Sequence, residues 1–224
     1  MKKYATSAHV QRVLTMLDAR FPDATCALNW KNPLELLIAT ILSAQCTDAR
    51  VNIVVQSLFQ KYRTAADYAN VPLAELEDDI RSTGFYHNKA KNIQACCRIL
   101  AEQFNGEVPA DMDTLVQLPG IGRKTANCVL GTAYGIAEGI TVDTHVARLA
   151  QRMGLSKETT PEKIEADLMK LVPKDRWVKI SHQLILHGRG LCPARKPRCA
   201  ECLATAACRD FCKFSETNEP QTAR

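Results

Sequence analysis

Apolar residues recur at intervals of three and four along almost the whole chain, and no segment alternates strictly for long enough to indicate a β-strand. This pattern predicts an all-α protein of about ten helices. The segment from Asn32 to Ser43 is the most apolar, because the run Leu36–Leu42 covers nearly every face of a helix. Asn32 followed by Pro33 is a typical helix start. We therefore expect this helix at the centre of a helical bundle.

The other predicted helices take their ends from capping residues, prolines and glycines. Ser7 is expected to cap the first helix, Asn88 to begin a long amphipathic one, and Asp143 to begin one that Gly154 ends. The predicted helical spans, in order, are about 7–21, 33–43, 47–61, a short one after 64, 72–82, 88–104, 112–118, 123–134, 143–154, one from 161, and 176–187.

The stretch Leu118–Ala126 joins a short predicted helix to a longer one and so predicts a helix-hairpin-helix. Pro119 favours a turn, and Gly120 and Gly122 can adopt positive φ without holding an approaching surface away. The backbone N–H groups of the hairpin and of the next helix start would then suit a phosphate. Lys124 falls in the first helical turn, where the macrodipole favours the neutral, nucleophilic amine. The alternative is a tight turn with a solvated lysine.

Composition and charge narrow the class of protein. The chain has 224 residues, 46% hydrophobic and 24% charged, with a net charge of +5, which is ordinary for a globular protein with a mild preference for anionic partners. No apolar run is long enough to cross a membrane, and the first residues lack a secretory core. We expect a cytoplasmic protein, or a nuclear one if the cell has a nucleus, with no membrane partner. Its clustered cysteines then indicate metal binding and not disulfides.

Four of the ten cysteines have the spacing C-x6-C-x2-C-x5-C, formed by Cys192, Cys199, Cys202 and Cys208. Four thiolates in a short segment can hold a [4Fe–4S] cluster or a tetrahedral zinc ion. Structural zinc more often uses two C-x-x-C pairs and this chain has one, so the spacing favours iron–sulfur. Cys212, four residues further on, is predicted to be a bystander, with competition as a ligand as the alternative.

A basic loop lies between the first two of these cysteines. It carries Arg195, Lys196 and Arg198, with Pro193 and Pro197 limiting its flexibility. These cations could neutralise an anionic cluster or contact DNA phosphates.

Asp143 stands where a helix N-cap is expected, since its side chain can accept the N–H of His145 or Val146. Capping is the simplest role for this residue. It does not exclude catalysis, because a carboxylate held at a helix start is rigid and is kept ionised by the dipole.

Taken in order, LPGIGRKTA, Val142–His145 and the four cysteines resemble the endonuclease III family of helix-hairpin-helix DNA glycosylases. The resemblance extends from about residue 14 to 208. It implies two helical lobes with a DNA-binding cleft between them: a six-helix barrel at 26–136 that contains the hairpin, and a cluster domain at 1–25 plus 137–224. It also implies an enzyme of the bacterial cytoplasm, associated with the nucleoid, that removes damaged pyrimidines from duplex DNA and cleaves abasic sites through a lysine Schiff base. Monomeric action would suit such a repair enzyme.

The resemblance assigns roles to particular residues. Lys124 matches the nucleophile, Asp143 the catalytic aspartate and the four cysteines the [4Fe–4S] ligands, while Gln45 matches a residue that fills the space of the extruded base. Phe85 falls where the family usually has a leucine wedge. The residues expected to hold the DNA backbone are Lys89, Lys91, Gly120, Gly122, Arg123, Arg195, Lys196 and Arg198.

Two departures and two rival functions remain open at this stage. Phe85 is larger than leucine, and the loop Ile136–Ile140 looks one residue longer than in the family's type member, so substrate range is in doubt. An adenine-mismatch glycosylase would share the scaffold, but it needs an acid in the helix that here reads Leu37–Leu42. The other rival is a non-catalytic iron–sulfur protein that binds DNA or senses redox state.

Overall fold

The computed structural model describes residues 5–203 and Cys208, and every regular element in that part of the chain is helical. The α-helices are α1 Ser7–Arg20, α2 Pro33–Leu42, α3 Asp48–Lys61, α4 Ala65–Asn70, α5 Leu73–Ile80, α6 Tyr86–Gln103, α7 Met112–Leu115, α8 Arg123–Ala133, α9 Thr144–Arg152, α10 Pro161–Leu171 and α11 Trp177–Gly190. Three single-turn 3-10 helices cover Arg81–Thr83, Lys174–Arg176 and Cys199–Glu201. The all-α prediction is confirmed. None of the described helices is both long enough and apolar enough to cross a membrane.

Capping side chains set most of the helix starts that the sequence indicates. Asn32 accepts the N–H of Glu35 at 2.9 Å before α2, and Thr64 and Asp67 form a reciprocal capping box before α4. At the end of α8, Gly135 has φ +68°, as expected for a glycine that follows a helix.

Several predicted helix boundaries differ from the structure; α11, for example, continues to Gly190, three residues past its predicted end. Thr6, not Ser7, caps α1, since its hydroxyl accepts the N–H of His9 at 3.3 Å. Helix α6 begins at Tyr86, two residues before Asn88, because the two preceding residues already complete the turn at positive φ. Helix α7 has only one turn, and residues 116–118 continue it as tight turns. Cys212 lies outside the described residues.

The chain divides into two compact units. The central unit is Cys26–Glu138 and contains α2 to α8. Its core surrounds α2, in which Leu36, Leu37, Ile38, Ala39 and Leu42 are completely buried. Helices α3, α6 and α8 pack against α2, and α4 and α5 pack against α6. The predicted central position of this apolar helix is therefore confirmed.

The terminal unit joins the two ends of the described chain, residues 5–25 with 139–203 and Cys208. It has a separate core, to which α1, α9, α10 and α11 contribute. Asp18 of α1 accepts hydrogen bonds from Arg176 at 2.6 Å and from Gln183 at 3.0 Å. These bonds attach the N-terminal helix to α11 and to the turn before it.

Candidate functional site

The hairpin between α7 and α8 is anchored by its apolar residues and shaped by one glycine. Leu118 and Ile121 are 4% and 5% exposed, and the N–H of Ile121 donates to the Leu118 carbonyl at 3.1 Å. Gly120 has φ +78°, and a Cβ on it would lie 2.9 Å from Asn92 of α6. Both the conformation and the close packing on α6 therefore require glycine at position 120.

Gly122 serves the hairpin in another way. Its φ is −94°, which any residue can adopt, and a Cβ there would meet nothing within 4 Å. Gly122 therefore does not use its freedom to adopt positive φ. The absent side chain instead leaves the backbone of the hairpin open to an approaching molecule.

Helix α8 begins with a positive and sterically open end. Gly122 is its N-cap and supplies no capping side chain, and the first turn contains no acid. Arg123 and Lys124 occupy that turn, and both are exposed. Because the start of a helix already carries partial positive charge, this end can bind an anion and present the Lys124 amine to it.

Two further predicted site residues in the central unit have unusual backbone conformations. Gln45 has φ +51° and Phe85 has φ +49°, in the left-handed region that non-glycine residues rarely adopt. Gln45 follows α2, and Phe85 follows the 3-10 helix Arg81–Thr83. Both side chains are exposed, Phe85 to 64%, and an exposed phenylalanine on a strained turn is typical of a residue that contacts a partner.

Lys89 is the predicted DNA contact that the structure contradicts. Its side chain is 4% exposed, and Nζ donates to the carbonyl oxygens of Leu42 and Thr83 at 2.8 Å each. Burial lowers the pKa of Lys89. The sequence misled because Lys89 falls in the first turn of a long amphipathic helix, where lysines are usually exposed. Lys91, in the next turn, is exposed as expected.

Asp143 is the N-cap of α9, as predicted. One carboxylate oxygen, Oδ1, accepts the N–H groups of His145 and Val146 at 2.8 Å each. The first turn of α9 is anchored by Val146, which is completely buried. The carboxylate is half-buried, so it is immobilised yet retains an oxygen atom beyond the two capping bonds.

The four predicted ligand cysteines line a single, mostly apolar cavity in the terminal unit. Leu149, Met153, Leu191 and Pro197 form much of the remaining wall. Among the described residues, no three His, Cys, Asp or Glu side chains converge tightly enough to hold a single metal ion. The four thiols therefore face a common space.

Arg152 holds the start of the loop that carries the four cysteines, residues 192–208, which we call the cysteine loop. The sequence analysis assigned no role to Arg152. Its Nη1 donates to Cys192 Sγ at 3.1 Å and to the Pro193 carbonyl at 2.9 Å, and Nη2 donates to the Ala194 carbonyl at 2.9 Å. Its spacing could have indicated that Arg152 faces inward, since it lies three residues after the buried Leu149 on an amphipathic helix.

His187 is a second residue beside the cysteines that the sequence left without a role. It is 1% exposed, and its Nε2 lies 3.5 Å from Cys202 Sγ. Burial, with a smaller contribution from the charge of Arg20, lowers the pKa of His187 to about 4. The imidazole next to Cys202 is thus neutral.

The basic loop between Cys192 and Cys199 is exposed at all three of its cations. Lys196 has φ +54°, a left-handed backbone conformation that turns the chain at this point of the loop. Arg198 also stabilises the loop, since its guanidinium donates to the Gly190 carbonyl and lies 3.6 Å from a carboxylate oxygen of Glu201. Arg195 and Lys196 are the more accessible candidates for contact with an anionic partner.

Comparisons with known proteins agree on one family. A family model described as HhH-GPD superfamily base excision DNA repair protein matches residues 38–174. Endonuclease III of Synechocystis sp. is 54% identical over 196 residues, which cover 88% of this chain and 90% of that protein. A solved non-covalent complex of endonuclease III with DNA is 48% identical, with a TM-score of 0.91 over 95% of this chain and 99% of that one. A trapped covalent intermediate of endonuclease III with DNA is also 48% identical, with a TM-score of 0.89 over 93% and 98% of the two chains.

The two hairpin glycines are expected to respond differently to alanine. Gly120→Ala should destabilise the protein by about 1–3 kcal/mol, because the new methyl group meets Asn92 and alanine disfavours positive φ. Gly122→Ala is the matched control and should cost clearly less, at most about 1 kcal/mol, since space and φ both allow the methyl group and the loss comes only from alanine being the poorer N-cap. Denaturant unfolding measures both changes. Equal losses would contradict the separate roles of the two glycines.

Proposed function

The chain belongs to the HhH-GPD superfamily of base excision DNA repair proteins, and from this membership and the site geometry we propose its function. It is a DNA glycosylase that releases damaged bases from duplex DNA and then cleaves the abasic site as a lyase. Oxidised pyrimidines are the proposed substrates. The proposed setting is the bacterial cytoplasm, on nucleoid DNA, with the protein acting as a monomer.

The observation that carries this proposal is the exposed amine of Lys124 at the open start of α8. The hairpin provides backbone N–H groups and a positive helix end, and Gly122 keeps side chains out of the way of a phosphate. A lysine there can meet DNA at the sugar-phosphate backbone, where its target carbon lies. The covalent endonuclease III intermediate, solved for a chain 48% identical to this one, supports a nucleophile in the same fold.

DNA must be distorted before any chemistry, because a stacked base shields the sugar carbon from attack. Extruding the nucleotide costs a few kcal/mol, and less for a damaged base that stacks poorly. Exposed Lys91, Arg123, Arg195 and Lys196 are proposed to hold the bent backbone electrostatically. Gln45 and Phe85 are proposed to enter the vacated space, and their exposed, strained turns support that role.

Lys124 is proposed to attack C1′ of the extruded nucleotide with its unprotonated amine. A C–N bond forms as the glycosidic bond breaks, and the electron pair of that bond leaves with the base, which is protonated. Opening of the sugar ring gives a Schiff base, which acidifies the C2′ proton. Loss of this proton expels the 3′ phosphate by β-elimination, so one lysine serves both activities.

Asp143 is proposed to stabilise the positive charge that develops on the sugar and to assist proton transfer. The two capping hydrogen bonds support this role because they orient the carboxylate before substrate binds. A preorganised charge needs no reorganisation during the reaction, which is the main source of electrostatic catalysis.

The four cysteines are proposed to hold a [4Fe–4S] cluster, because their spacing contains one C-x-x-C pair where structural zinc more often has two. Cys192, Cys199, Cys202 and Cys208 line one cavity, which supports a shared occupant. The four cysteine sulfurs would hold the cluster, which would cross-link the cysteine loop. Arg152 and the neutral His187 would donate hydrogen bonds toward cysteine sulfur.

The rival functions find no support in the described site. The adenine-mismatch alternative needs an acid among residues 37–42 of α2, and these are apolar or threonine. A non-catalytic DNA-binding or redox-sensing protein would have no need of an exposed nucleophile at an open helix start.

Lys124→Ala should abolish the covalent adduct that borohydride traps between the protein and DNA containing an abasic site. The Schiff base forms only if the primary amine is present, so the variant has no imine for borohydride to reduce to a stable adduct. Gel electrophoresis of the reduced mixture measures the adduct. Arg123→Ala, in the same helical turn, is the control; it should weaken binding but still form the adduct at saturating DNA. An adduct of normal yield with Lys124→Ala would place the nucleophile elsewhere.

Asp143→Asn should slow base release by about 10²–10⁴-fold while leaving the fold intact. The asparagine oxygen can still accept the N–H groups of His145 and Val146, so only the charge is removed. Single-turnover kinetics on a lesion-containing duplex measures base release, and thermal unfolding confirms that the cap is retained. Near-normal turnover would reduce Asp143 to its structural role.

The purified protein should contain iron and acid-labile sulfide and absorb visible light. Cys192→Ser should lose most of this absorption, since a serine oxygen is a poor replacement for a thiolate ligand. Cys46→Ser, a half-buried cysteine outside the cavity, is the control and should retain full iron content. Stoichiometric zinc without sulfide would exclude the cluster.

A further inference from the structure

Lys89 occupies a position that links the turns of Gln45 and Phe85. Its Nζ donates to the carbonyl of Leu42, the last residue of α2, and to that of Thr83, the last residue of a 3-10 helix, at 2.8 Å each. Gln45 comes three residues after the first carbonyl, and Phe85 two residues after the second. One ammonium group therefore bonds the helix ends from which both turns start.

The chemistry of this contact suits a cation. The last carbonyls of a helix have no partner within the helix and carry partial negative charge, so an ammonium is favourable beside them. Without Nζ, two carbonyl oxygens in a buried place would lose a strong donor. Lys89 is itself in the first turn of α6, and its N–H donates to the Phe85 carbonyl at 3.1 Å. Its backbone and side chain thus both brace the Phe85 turn.

We propose that Lys89 is a positioning residue that holds the Gln45 and Phe85 turns in register, so that both side chains enter the duplex together. This inference rests on the proposed glycosylase function. Both turns contain a non-glycine residue at positive φ, a conformation that surrounding contacts must maintain. The buried ammonium supplies a contact that both turns share, and it does so without touching DNA.

Lys89→Met tests this role because methionine keeps the length and apolar stem of the side chain but donates no hydrogen bond. On a duplex with an oxidised thymine, single-turnover base release should slow by about tenfold or more, as expected for a misplaced contact. On a duplex with a non-cleavable abasic analogue and 2-aminopurine beside it, the fluorescence rise on binding should shrink. The dependence of log Kd on log salt should match that of the wild type, since no phosphate contact is lost.

Lys91→Met is the matched control, because Lys91 lies on the same helix but is exposed. It should weaken binding and reduce the salt slope by about one unit, and at saturation it should leave the 2-aminopurine signal unchanged. In addition, Lys89→Met combined with Phe85→Ala should be clearly less harmful than the two separate effects multiplied, since both changes disable the same insertion.

Several results would overturn the inference while leaving the glycosylase function intact. They are wild-type rate and fluorescence in Lys89→Met, a salt slope reduced as in Lys91→Met, or independent effects in the double variant. If Lys89→Met fails to fold, Lys89→Gln takes its place in every assay, because its amide is neutral and one bond shorter and so cannot bond both carbonyls as the ammonium does. Failure of both to fold would assign Lys89 to overall stability and also refute the positioning role. Absence of base release by the wild type would instead refute the proposed function.

Discussion

Burial of α2 on nearly every face is the constraint from which the central unit is built. A helix surrounded by apolar side chains cannot leave its terminal carbonyls to water, so partners for them must come from within the protein. Lys89 meets this need for Leu42. The cost of burying its charge is offset because the same ammonium also bonds the Thr83 carbonyl. The end of the most buried helix thereby becomes the place where the exposed Gln45 turn is held.

In the terminal unit, α9 bonds a neighbouring functional segment at each of its two ends. Asp143 caps the start of α9 through two backbone N–H groups, and Arg152 in its last turn bonds the cysteine loop through a sulfur and two carbonyls. The completely buried Val146 and Leu149 hold α9 between these ends. The proposed catalytic carboxylate and the proposed cluster loop are therefore attached to the same rigid element.

Strain and exposure coincide at the proposed DNA-contacting positions. Gln45, Phe85 and Lys196 all have positive φ without being glycine, and all three are exposed. A protein gains no stability from such positions, since each costs conformational energy and Phe85 also leaves a large apolar side chain in water. Their presence is understandable if each of these positions contacts a partner. Gly122 fits the same pattern. Neither its φ nor its neighbours require a glycine there, so the missing side chain also gives no stability.

The sequence by itself determined the helical class, most helix ends, the hairpin, the Asp143 cap and the grouping of the four cysteines. These features depend on local chemistry, namely apolar spacing, caps, turn residues and short chain separation. Only the tertiary structure decided that Lys89 is buried, that Gln45 and Phe85 have left-handed backbones, and that Arg152 and His187 lie against cysteine sulfur. Lys89, Arg152 and His187 have partners distant in the chain, namely Leu42, Cys192 and Cys202, and no local pattern encodes the position of a distant atom.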